Sequence, residues 1–308
     1  MRRSHCWLAA FSLALIVAMA RPVSGSARQE ASPAIDAEIA HPTGGSEVVL
    51  QVAEIPGFVT MGYRLTVMPP FTMFGDGRVI VTGPTTLQYP GKALPNLRQV
   101  RLNEDGMQAV LRAAQGTGLL DGDKQLENNQ VTDLSTVVFT TTANGQTSVV
   151  SVYGLGTAEE NLPADVRAAR QALAEFVQGV LGQTVWPASS VVEQDAPYVI
   201  ERIQILSSAV PPEAAATPVD ASAPDQEDLD WPLAESLATA GDPSDQVQGG
   251  RCLVLDGDEA RQVVAAMQDA TSLTRWQSDG SLFDVYPRPL LPNESGCGVE
   301  PAAATPAA

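Results

Sequence analysis

Apolar positions along this chain of 308 residues change period several times, and each change marks an element. The runs Val48 to Val52, Tyr63 to Met68, Phe71 to Phe74 and Val79 to Val81 are short and rich in β-branched or aromatic residues, which predicts strands. Gly75-Asp76-Gly77 between the last two is a hairpin signal. Arg98 to Leu102 adds a strand, after which the period becomes helical. Met107, Val110, Leu111 and Ala114 share one face, behind Asn103 as N-cap with Glu104 and Asp105 in the first turn, and Gly116 and Gly118 end the helix. Val137 to Thr142 and Thr147 to Tyr153 flank Asn144-Gly145 and predict a hairpin on a type I′ turn. A longer helix is expected from about Pro163 to Leu181, with Val166, Ala169, Leu173, Val177 and Val180 on one side and Gly182 closing it.

Tyr198 to Leu206 reads as a further strand, and residues 207–230 read as an acidic, Pro/Ala-rich loop with almost no bulky apolar residue. Order resumes near Trp231 with a strand at Arg251 to Leu255, a helix from about Gly257 to Ala270, and the Asp279-Gly280 turn before Leu282 to Tyr286. The pattern predicts an α+β fold of antiparallel sheet with about three helices, divided into module A over 46–185 and module B over 186–300. A shift of 153 residues lays Leu102 on Leu255, Asn103 on Asp256, and Met107, Val110, Leu111 and Ala114 on Ala260, Val263, Val264 and Met267. Two copies of a strand-helix-hairpin module explain this match, although any two capped amphipathic helices can be aligned in phase.

The N-terminus changes the picture of where the protein works. Met1-Arg2-Arg3-Ser4, an apolar run from Cys6 to Ala20 and small residues to Ala27 follow the order of a signal peptide, and the apolar run is shorter than the about 20 residues that span a bilayer. Residues 1–27 are therefore expected to be removed on export, with the cut after Ala20 or Ala27. Residues 28–45 follow as a flexible lead and 301–308 as a disordered tail. The protein is expected to be secreted, outside the cell.

Loss of residues 1–27 takes three arginines and no acid, leaving 15 basic residues against 36 acidic ones and a charge of −21 where the full chain has −18. Such a surface repels phosphate, so neither nucleic acid nor an anionic membrane surface is an expected partner. An extracellular protein or a small ligand is expected instead, cationic if charged. Of the three cysteines Cys6 leaves with the leader, and Cys252 and Cys297 form an even pair that an oxidising compartment would join as a disulfide.

Candidate chemistry is sparse. Gly154-Leu155-Gly156-Thr157 sits between a strand and a helix, where a phosphate loop would be. It lacks the third glycine and any following Gly-Lys-Ser/Thr, and carries Glu159-Glu160 instead. Asp121-Gly122-Asp123 and Asp256-Gly257-Asp258 begin like calcium loops and do not continue as such, which leaves capping and turn roles. His41, the one histidine past the leader, falls in the flexible lead and is not expected to serve a triad or a metal. Trp186, Trp231 and Trp276 neighbour prolines or turns and are expected to pack between layers rather than line a groove. No catalytic residue, metal or cofactor is assigned.

Arg251-Cys252 through Trp276, the Phe71 to Arg78 hairpin, and Arg288-Pro289-Leu290-Leu291-Pro292 through Cys297 together resemble a family of exported bacterial proteins of unknown function. The resemblance covers most of residues 46 to 297. It implies an exported, soluble domain and carries no activity to transfer. Export, the cysteine pair, the acidic surface and the lack of a nucleophile-base set favour a non-catalytic interaction or ligand-binding protein. A secreted hydrolase using paired carboxylates is the alternative.

Overall fold

The hairpin and cap signals account for most of the local structure. In the computed structural model, which describes residues 37–215, 217 and 219–298, the first sheet is built from β1 (Val48–Ile55), β2 (Phe71–Phe74), β3 (Arg78–Thr82), β4 (Leu97–Leu102), β5 (Lys124–Leu126), β6 (Thr136–Ala143), β7 (Gln146–Tyr153) and β8 (Val191–Pro197). Its order is β5-β7-β6-β1-β2-β3-β4-β8, antiparallel throughout except for the parallel edge pair β5/β7. Asn144 and Gly145 both take positive φ, the conformation of a two-residue I′ turn, and this sets the β6–β7 register with Ala143 opposite Gln146.

Alternation along these strands sends Val52, Phe71, Val81, Phe139 and Val150 to one face, which α2 (Glu104–Gly116) and α3 (Ala164–Leu181) cover with Val110, Leu111, Leu173 and Phe176. An irregularity in register between Val48 and Leu50 lets the adjacent Val49 and Leu50 both be buried in β1. Each such side chain contributes about 1.5 to 3 kcal/mol on burial. Asn103 accepts the Gly106 N–H as N-cap of α2.

The second sheet comprises β9 (Arg202–Ala209), β10 (Leu229–Asp230), β11 (Asp242–Ser244), β12 (Gly250–Asp256), β13 (Arg275–Ser278) and β14 (Ser281–Pro289), in the order β10-β13-β14-β9-β12-β11. Here too only the edge pair β10/β13 is parallel. Helix α4 (Pro212–Ala215) is a single turn, and α5 (Gly257–Ala266) sets Ala260 and Val263 against Ile203, Ile205, Leu255 and Phe283. Trp186, Trp231 and Trp276 all pack inside. Trp186 lies 6.4 Å from Phe71, while Trp231 meets Trp276 edge-on at 5.9 Å.

Three segments tie the second sheet to the first. Leu291, past the end of β14, is buried against Phe74, Ile80 and Leu97 on the face of the first sheet opposite α2 and α3. The β3–β4 connection places Ala93 and Leu94 beside the second core, with the Ala93 N–H donating to Ala270 O. The β1–β2 connection, which contains α1 (Met61–Thr66), rests on β14 and receives a hydrogen bond from Arg288 Nε at Val67 O.

Several expectations change. Tyr63 to Met68 is not a strand: Thr60 Oγ1 caps a helical turn by accepting the Tyr63 N–H, and the Thr66 hydroxyl returns to Gly62 O. Pro69 and Pro70 then follow with no N–H to extend a ladder. Residues 38–45, expected in the flexible lead, lie against the fold. The Ile39 N–H donates to Gln108 Oε1 and Gln108 Nε2 donates back to Ile39 O, while Ala40 exchanges hydrogen bonds with Asn144. Ile39 is buried there. Residues 1–36, which include the expected leader and the start of the expected flexible lead, and 301–308, the expected tail, lie outside the described residues.

Residues 186–197, expected at the start of module B, go with the first sheet, because Trp186 joins the first core and β8 pairs with β4. The loop expected over 207–230 is shorter, since Ser207 to Ala209 continue β9 and Leu229–Asp230 pair with β13. The strand-helix-hairpin order recurs as β4-α2-β6-β7 and β12-α5-β13-β14, but the sheet placement does not. Three strands separate β4 from β6, whose partner β7 lies outside it, whereas one strand separates β12 from β14, and there the first hairpin strand lies outside. The recurrence is one of local pattern, not of sheet order.

Candidate docking surface

The sequence motifs with a chemical look turn out to be occupied by the protein itself. The Gly154–Thr157 turn folds around Glu159, whose Oε1 accepts the Gly156 N–H and the Arg170 Nε–H at 2.8 Å. Arg170, on α3 and fully buried, also donates to Leu126 O, Tyr153 O and Gly154 O. A carboxylate of this chain thus fills the place where an anion would sit. Asp121 pairs with Lys124, Asp123 accepts the Val149 N–H, and Asp258 pairs with Arg261. Asp256 is the N-cap residue of α5.

Cys252 and Cys297 are joined, with a Cα separation of 5.6 Å. This bond and the Arg288–Glu294 pair fasten the segment after β14, so Leu291-Pro292-Asn293-Glu294-Ser295 is a clamped part of the fold. Among the described residues no group of three or more His, Cys, Asp or Glu is placed to hold a metal, and no helix is long and apolar enough to cross a membrane.

His41 Nδ1 lies 2.7 Å from Pro42 O, and Nε2 lies 3.0 Å from a Glu104 carboxylate oxygen. Burial pushes the Glu104 carboxyl up, but the Gln108 amide, the His41 hydrogen bond and the His41 charge together hold it below its ordinary 4.5. A folded-state value below the unfolded one contributes stability that is complete above about pH 4.5 and lost as pH falls through the lowered value. Glu104→Gln should therefore be less stable than the wild type at pH 6, with the difference shrinking below about pH 4.5. Urea titrations at stepped pH check this, and a gap that widens toward acid would contradict it.

Asp220 is held at about 2 by the Ser222 hydroxyl, the Tyr89 hydroxyl and the Ser222 N–H. Both displaced carboxylates thus move downward, the opposite of what a general acid at neutral pH requires.

One small cavity, of about 50 Å³, lies between Leu120 and the end of the β6–β7 hairpin, lined by Thr141, Ala143, Asn144, Gln146 and Ser148. Thr141 Oγ1 is buried there without a protein partner. Thr141→Val should leave stability unchanged or raise it by roughly 1 kcal/mol, since it removes a desolvated hydroxyl at constant shape. A loss of that size in chemical denaturation would show that the hydroxyl is bonded in solution.

The outward-facing feature is different in kind. From the end of β1 into α1 the chain exposes Ile55, Phe58, Val59, Met61 and Tyr63, with Phe58 91% accessible. Clustered exposed apolar side chains of this kind are a feature of interaction sites. The stretch is firmly mounted. The Phe58 N–H donates to Asp133 O, and Gly57 passes so close that an added Cβ would lie 2.6 Å from the Leu134 carbonyl carbon. On its inner side Leu65 packs with Leu206, Val247 and Cys252, and Gly62 lies over the Tyr286 ring. Burial, then Glu54, raises the Tyr63 hydroxyl above its ordinary 10.

The sequence pattern predicts no element over residues 53–62 and a strand from Tyr63, so the predicted elements give no sign of this surface. The usable signal was Pro56-Gly57 and Pro69-Pro70 bracketing apolar residues that match neither period. Comparison of the chain with protein-family models, with curated proteins and with solved structures finds no match.

Proposed function

We propose that this is an exported, non-catalytic interaction protein of the cell exterior, and that it docks its partner through the ridge from Ile55 to Tyr63. The observation that carries the reading is the exposure of Phe58 and its apolar neighbours on a loop fixed from beneath by Asp133, Gly57 and Leu65. An aromatic anchor on a pre-ordered mount loses little conformational freedom on binding, and such anchors dominate interface energetics.

Affinity capture from the exterior protein fraction compares the wild type with Phe58→Ser/Met61→Ser. Both side chains are exposed, so the variant should keep its stability within about 0.5 kcal/mol while losing at least tenfold of the captured partner. Equal capture by a folded variant would place the partner elsewhere.

A further inference from the structure

The shape and charge of this ridge restrict what can cover it. A side chain 91% accessible is at the crest of a convex surface, so whatever takes Phe58 must be concave at that point. The crest is bordered by acid. Glu54 precedes Ile55 on β1, and Asp133, exposed, supplies the carbonyl that holds Phe58. Arg64 is the one cation within residues 48–70. The wider field has the same sign, because the chain carries 36 acidic residues against 18 basic ones. A second copy would bring the same charge and the same convex crest, and anionic lipid would be repelled.

We infer that the partner presents an apolar pocket able to take a phenyl ring, with a rim of lysine or arginine. This rests on the docking reading and adds the partner's shape and charge. The ring supplies the apolar burial, and the acids beside it select the partner and speed its approach through a field that salt screens.

Two derivatives of one cyclic glucose heptamer, whose apolar cavity accepts a phenyl ring, serve as probes: one with a cationic amino rim and one with an anionic carboxylate rim. They are titrated by NMR against the whole protein at low and at physiological salt. The amino host should bind roughly tenfold more tightly than the carboxylate host, the size expected when exposed ion pairs replace like-charge contacts. The gap should close with added salt and narrow in Glu54→Gln/Asp133→Asn, and Phe58→Ser should lose both hosts. Equal binding of the two hosts at Phe58 would overturn the basic-rim inference while leaving the ridge as a docking surface. Binding of neither host, with Phe58 intact, would overturn both. Self-association in sedimentation that Phe58→Ser abolishes would replace the inferred partner with a second copy, and co-sedimentation with phosphatidylcholine vesicles would replace it with a membrane.

Discussion

Arg170→Met is expected to lower the stability of the fold by about 3 to 5 kcal/mol, the cost of breaking a buried ion pair by removing one partner. Arg170 is fully buried, and its guanidinium fork answers four acceptors at once: the Glu159 carboxylate and the carbonyls of Leu126, Tyr153 and Gly154. Methionine fills much of the same volume, so the loss comes from polarity and not from a cavity. It leaves a partly buried carboxylate without its cation and three carbonyl oxygens short of a donor. For a domain of this size each kcal/mol moves the thermal midpoint by about 2 to 4 °C, so calorimetry should record a fall on the order of 10 °C.

Arg170→Lys should recover only part of that loss, because an ammonium is a point charge and cannot reproduce the planar fork. Glu159→Gln keeps an acceptor for the Gly156 N–H and should cost less than Arg170→Met. A change below about 1 kcal/mol for Arg170→Met would mean that water reaches these carbonyls.

The second large effect belongs to the bond between Cys252 and Cys297. They lie 45 residues apart, and a closed loop of that size stabilises by roughly 4 kcal/mol in the chain-entropy model, against a common range of about 2 to 5. The bond ties the segment that buries Leu291 on the first sheet to β12 of the second. Cys252→Ala/Cys297→Ser should therefore unfold at a lower urea concentration, with amide exchange rising first at residues 290–298. Alanine suits the buried Cys252, and serine suits the exposed Cys297. Wild type held in a dithiol reductant should track the variant. Intact stability in both would show that the Arg288–Glu294 pair, with Arg202 donating to Glu294 O and Ser295 O, secures the segment unaided.

What could be read in advance was whatever is written locally. Asn103 with Glu104 and Asp105, the face of Met107, Val110 and Leu111, and Asn144-Gly145 each state their element within a few residues, and all appear where expected. The cysteine pair was legible because the expected loss of Cys6 with the leader leaves two partners. The edge strands were not. β5, β10 and β11 have two or three residues each and exist because a neighbour supplies hydrogen bonds, a tertiary cause with no local period.

α1 was misread for a related reason. Tyr63, Leu65 and Val67 alternate like a strand, but the Thr60 cap and the place of Gly62 over Tyr286 decide for a helical turn, and Tyr286 lies more than 200 residues away. The candidate site, Ile55 to Tyr63, meets that stretch only at Tyr63, and its other residues lie where the sequence pattern predicts no element. Arg170 was equally hidden: on a helical wheel it is one more charged residue, and only the folded turn at Gly154 shows what its guanidinium reaches.

A protein that docks through this ridge must have the ridge covered by a partner outside the cell. The most direct measurement places a photoreactive benzoylphenylalanine in place of Phe58, and as a control in place of the exposed Arg112 on α2, in protein produced by its own cells. Illumination followed by recovery from the exterior fraction should give one discrete heavier adduct from position 58 and none from position 112. The same ladder from both positions, or no adduct from position 58 in a folded protein, would contradict the claim that Ile55 to Tyr63 is where this protein works.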